Sequence, residues 1–245
     1  MKRREYLKTF IGVPLCLVMS VFDLISNTRS YNVVETFAYK VFGTISFQDE
    51  SVFLLTMQNL FFVVVCNILF ADSLSAHFRT GCVYVFSRIH NRSRWFFKQV
   101  ISLMIKTSIF TCLYLLTTLL ICACKSSETV QIKDLYSLVL IFVFSLLLCG
   151  LTTLSVNLLS IRWGTTVGFI FVQLSLFSLI FVGTITYKSP VAIALNPVSC
   201  LNVLGHPHEA LLNLLCSFGW MLLLCFVGCN FIKKYDVYLF DAELT

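Results

Sequence analysis

Long uninterrupted apolar stretches, not alternation, set the hydrophobic pattern of this chain. Six of them approach or exceed the ~20 helical residues needed to cross a bilayer core of ~30 Å. They are Thr9–Ser26, Val52–Ala71, Gln99–Cys124, Leu135–Ile161, Trp163–Tyr187 and Ala210–Ile232. Runs such as LVLIFVFSLLLCG at Leu138–Gly150 do not alternate, which argues against a transmembrane β-barrel. A tight turn at Arg162 divides the fourth stretch from the fifth. The first stretch holds Pro14 and Asp23, and SNTRSYN after it has no small-x-small cleavage site, so it reads as a retained helix and not as a leader. The expected fold is all-α, a polytopic membrane protein whose residues 1–245 form one six-helix domain.

Composition agrees. Hydrophobic residues make up 58% of the 245 and charged residues only 12%, about half the usual ~25% of a globular domain. Mean hydropathy is +0.88. Too little polar surface exists to coat a soluble core, and lipid is the solvent such a chain fits. The net charge of +6 is explained by where the basic residues fall. With the N-terminus inside, twelve of the 18 basic residues lie on the cytosolic side, among them Lys2 to Arg4, Arg79, Arg88, Arg92, Arg94, Arg162 and Lys233. This asymmetry predicts cytosolic termini, and it implies no nucleic-acid partner.

The spans leave outer loops at residues 27–51 and 188–209 and a basic inner loop at 72–98. Val34, Phe37 and Val41 share one helical face, which predicts a short amphipathic helix in the first outer loop. In the inner loop, Phe78, Cys82, Val85, Phe86 and Ile89 recur at helical spacing, with Arg79, Ser87 and His90 directed elsewhere. Such a helix under the membrane suits a cytosolic partner, while arginines in a loop also serve simply to fix topology on anionic headgroups.

Motifs for chemistry are sparse. No G-x-x-x-x-G-K-[ST] phosphate loop and no H-E-x-x-H metal site occurs. The 11 cysteines are mostly small apolar residues within spans, with no C-x-x-C, so neither a disulfide framework nor zinc is expected. His206 and His208 lack enough neighbouring ligands for a metal. His77 and Cys82 raise the alternative of a membrane-embedded thiol peptidase, although five helical residues turn the pair about 140° apart. Lys106 lies inside the third span and Asp72 closes the second. They make a candidate intramembrane ion pair or a transport-path charge. Gly164 and Gly168 form a GxxxG that suits close helix packing or arises by chance. Asn59, Asn67, Asn157, Gln173 and Asn213 are polar span residues placed either to line a cavity or to bond between helices.

The inner loop carries a resemblance. Gly81, the FSR of Phe86 to Arg88, Arg92 or Arg94, and Lys98 are similar to the coupling loop in permease subunits of type-two ABC exporters. LNPVSCLN at Leu195–Asn202 and KKYDV at Lys233–Val237 look like further pieces of that family. Members commonly carry a glutamate where His77 stands and a proline near Ile89 to Asn91; this chain has neither. The resemblance implies a separate ATP-binding subunit contacted through His77, Phe78, Arg79, Gly81, Tyr84, Phe86, Arg88 and Arg92. It also implies a second permease subunit, surrounding lipid, no cofactor and no catalytic residues in this chain. Small size is similar to cell-membrane permeases that export, or confer immunity to, peptide antibiotics such as lantibiotics and bacitracin. A membrane protein that confers immunity by binding alone is the competing expectation.

Overall fold

The computed structural model describes residues 11–14, 16–18, 33–42, 60–76, 91–125, 132–185, 189, 191, 195–198 and 210–234. All regular structure among them is helical. The principal helices are α1 (Val33–Phe42), α2 (Phe61–Phe70), α3 (Arg92–Lys125), α4 (Ile132–Trp163), α5 (Thr165–Ile185) and α6 (Ala210–Lys234). By length and composition four can cross a membrane: Arg92–Cys124, Leu135–Trp163, Thr165–Gly183 and Leu211–Lys233. The molecule is a membrane-embedded helical bundle in which each backbone meets its own hydrogen-bonding needs. Of the first two expected spans, only residues 11–14, 16–18 and 60–71 belong to the described residues, the last holding the helix Phe61–Phe70.

Helix ends depart from the hydropathy boundaries for a physical reason. The third span is expected from Gln99, yet α3 begins at Arg92 and runs 34 residues, about 51 Å at ~1.5 Å per residue against the ~30 Å that hydrocarbon occupies. Hydropathy finds the oily length, whereas a helix continues into the headgroup zone wherever it is capped. Here Asn91 is the cap: its Oδ1 accepts a hydrogen bond from the Arg94 amide at 3.2 Å, satisfying one of the donors a helix start leaves open. Arg92, Arg94 and Lys98 therefore stand on the first turns of a helix and not in a loop. The corner between α4 and α5 likewise falls past Arg162, at Gly164, whose φ of 86° is a left-handed conformation that glycine adopts without a Cβ penalty.

At the centre of the bundle is α4. Its apolar window is 61% buried, against 17% for α6, and it packs on α1, α2, α3, α5 and α6. The short α1 buries the face its spacing predicts: Val34, Phe37 and Val41 are covered, and Phe37 stacks on Phe142 of α4 at 6.1 Å. Contacts also fix directions. Asn67 meets Thr153 and Phe70 meets Asn157, so α2 runs parallel to α4. A Cβ on Gly150 would meet Met104 and Met221, and one on Gly228 would meet Phe96 and Leu158, so α6 runs with α4 while α3 opposes both. A Cβ on Gly168 of α5 would lie 2.8 Å from the Ser160 backbone nitrogen, where α5 returns antiparallel along α4. One end of the bundle thus gathers the start of α3, the end of α4, the start of α5 and the end of α6.

Candidate functional site

Three features stand out once the helices are in place. The first is a polar seam between α2 and α4. Thr152 and Thr153 donate to Asn67 Oδ1 at 3.1 Å and 2.9 Å, and the Cys66 thiol lies 3.7 Å from the Thr153 hydroxyl. A turn lower, Asn157 Nδ2 donates to the carbonyls of Phe70 at 2.8 Å and Thr153 at 2.9 Å, while its Oδ1 accepts from the Leu74 amide at 2.7 Å. Asn67 and Asn157 are fully buried. Because α2 stops at Phe70, the carbonyl there and the amide at Leu74 fall where the helical ladder is breaking off. Asn157 takes up both, acting as a cap supplied by another helix. The Cys16 and Cys149 thiols are neighbours of Cys66 in the same core.

A turn at Leu195–Val198, sunk into the bundle, is the second feature. Asn196 Oδ1 accepts from the Val198 amide at 3.0 Å, an Asx turn, and its Nδ2 donates to the Leu179 carbonyl at 2.8 Å. Trp220 Nε1 donates to the Leu195 carbonyl at 2.9 Å. Leu179 lies six residues short of the end of α5, so the turn reaches about 9 Å down that helix. Irregular backbone at membrane depth needs such protein partners. Below the turn lies a cavity of 320 Å³ walled by α4, α5 and α6.

The third is the basic end. Arg94, Lys98, Arg162 and Lys233 are exposed there and Arg92 is half-buried. The Arg162 guanidinium sits 5.4 Å from the centre of the Trp163 ring, which stacks on Phe171 at 6.1 Å, an aromatic belt of the kind found at membrane–water boundaries.

Of the residues expected to couple to an ATPase, His77, Phe78, Arg79, Gly81, Tyr84, Phe86 and Arg88 lie outside the described residues, as does Cys82 of the peptidase alternative. Arg92 is the first residue of α3. Asp72 is exposed in the turn after α2, and Lys106 is half-buried within α3. Phe70, two residues before Asp72, rests edge-on against Phe110, four residues past Lys106, at 6.4 Å. The two glycines have different tasks: Gly164 makes the corner, and Gly168 lets α5 touch the backbone of α4. Among the polar span residues, Asn67 and Asn157 bond between helices. Gln173 and Asn213 are buried, the former with neither carboxamide atom partnered and the latter with its Oδ1 unpartnered. Sequence reasoning overlooked Thr152 and Thr153, whose signal was their place one turn ahead of Asn157, and it overlooked Asn91 and Asn196, both polar residues at helix breaks. No group of three or more metal-ligating side chains occurs among the described residues. No family model, curated protein or solved structure matches the chain.

Proposed function

We propose that the chain is the membrane-spanning permease subunit of an ATP-driven exporter of the type-two ABC class. A separate ATP-binding protein would grip the segment from Asp72 to Lys98 beneath the bundle. Support comes from how the two ends of residues 77–90 are held. On one side the Leu74 amide is fastened to Asn157 of the central helix; on the other, Asn91 caps α3. A push that reaches Leu74 or Asn91 is passed directly to α4 or α3. The basic end suits a cytosolic face, so we place both termini in the cytosol and the protein in the cell membrane. We assign an amphipathic substrate, such as a peptide antibiotic, and a second permease subunit, identical or related.

The test is co-expression with a candidate ATP-binding subunit. The two are expected to purify from membranes as one complex, with ATP hydrolysis that depends on this chain. Arg88→Glu and Phe86→Ala are expected to abolish transport while leaving membrane insertion unchanged. Full transport by both variants at normal expression refutes the coupling role, and a chain that protects cells without any ATPase partner is a binding protein instead.

A further inference from the structure

We propose that the cavity between α4, α5 and α6 is a binding site for one hydrocarbon chain of a membrane lipid, entered sideways from the bilayer. Its wall on α4 runs from Leu148 to Leu159, about 16 Å of helix at ~1.5 Å per residue. The volume is 320 Å³. Counting all the space between its walls out to the open mouth, the cavity offers about 840 Å³, still less than the roughly 1,200 Å³ that a helix ~10 Å across would fill over that length, so a whole helix does not sit inside, whereas a single extended polymethylene strand does.

The lining decides the chemistry. Its hydroxyls come from Thr152, Ser155 and Ser175, and none has a proton to spare: Ser155 and Ser175 donate to the carbonyls of Leu151 at 2.9 Å and Phe171 at 2.8 Å on their own helices, and the Thr152 proton is shared between Asn67 Oδ1 at 3.1 Å and the Leu148 carbonyl at 2.9 Å. The remaining side chains are aliphatic. A polar ligand would lose hydrogen bonds on entering and find no donor in exchange, and a water needs two to four polar partners to stay.

Position supplies the occupant. Ser175 of α5 and Val227 of α6 both line the cavity and are exposed, which puts its mouth between those two helices. Around the mouth, Phe171, Leu174, Leu223 and Phe226 present exposed apolar surface, so the medium at the opening is acyl chain. At its far end the cavity meets Pro197 and Val198, in the turn held down by Asn196 and Trp220. A chain entering between α5 and α6 therefore lies along α4 and stops against that turn.

This inference is independent of the transport reading, since it needs neither ATP nor a partner subunit. The full chain is reconstituted into phosphatidylcholine vesicles doped with a phosphatidylcholine that carries a diazirine midway along one acyl chain. After irradiation, adducts are mapped by mass spectrometry. The expected result is labelling of Leu151, Ser155 and Leu176, with loss to background in Ser155→Phe, which fills the space, while labelling of the outer residues Leu223 and Phe226 persists. Wild-type adducts confined to the outer residues overturn the proposal without recourse to any variant. Undiminished labelling of Leu151 and Leu176 in a monodisperse Ser155→Phe protein overturns it as well.

Discussion

Asn157 shows how much one buried carboxamide can organise, since all three of its hydrogen bonds are between 2.7 and 2.9 Å. Replacing it with Leu strands the Leu74 amide and leaves the Phe70 carbonyl only the Ser73 amide at 3.2 Å. Interhelical polar contacts in membranes average ~0.6 kcal/mol and reach ~1.7, so Asn157→Leu is expected to cost about 1 to 2 kcal/mol in unfolding experiments in bicelles. Thr117→Val is the control. That hydroxyl bonds only to its own helix, at the Leu113 and Tyr114 carbonyls, and its loss should stay within ~0.5 kcal/mol. The glycines allow a second, sharper comparison. An added methyl at Gly168 meets the backbone of Ser160 at 2.8 Å and of Val156 at 3.0 Å, atoms that cannot swing aside, so Gly168→Ala is expected to destabilise by about 1 to 3 kcal/mol. At Gly219 nothing lies within 4 Å. There the same substitution only raises helix propensity and should be neutral or stabilising by up to ~1 kcal/mol. Equal effects at the two positions would contradict the packing of α5 on α4.

At the scale of elements, the oily lengths of four helices were legible in the sequence, and their ends were not. An apolar count cannot see Asn91 extending α3 through the arginines, nor Gly164 closing α4 beyond Arg162, because capping and backbone handedness depend on single residues. The polar seam was half legible. Asn67 and Asn157 are conspicuous in apolar surroundings, but that they serve the same helix pair depends on α2 and α4 running parallel, which no local pattern encodes. The proposed coupling residues from His77 to Arg88 rest on family likeness alone. The Leu195–Val198 turn makes a further prediction about how elements are tied together. Trp220→Phe keeps the aromatic bulk and removes the indole donor to the Leu195 carbonyl. The turn should then open more often, raising several-fold the rate at which a membrane-permeant maleimide modifies Val198→Cys, a position 1% exposed in the wild type. An unchanged rate would mean that Asn196 alone holds the turn.

For the molecule as a whole, directions and charge make one prediction about sidedness. Arg94 lies in the first turn of α3 and Lys233 in the last turn of α6, yet the contacts bring them to the same end, and Leu135 near the start of α4 belongs to the other. Intact cells treated with an impermeant maleimide should therefore gain labelling, relative to wild type, in Leu135→Cys. Arg94→Cys and Lys233→Cys should gain it only after the membrane is opened. If Arg94 and Lys233 report from opposite faces, the bundle is wrong; if both report from outside, it is inverted. The corner at Gly164 bears on how such a bundle comes into being. With a single residue between them and their backbones already touching at Gly168, α4 and α5 have almost no tether to let one settle before the other. Ribosomal synthesis would deliver them to the lipid as a preformed hairpin. The threonines and asparagine of α4 would then meet α2, which is synthesised before them, with one flank already sheltered, instead of entering oil as a naked polar stripe.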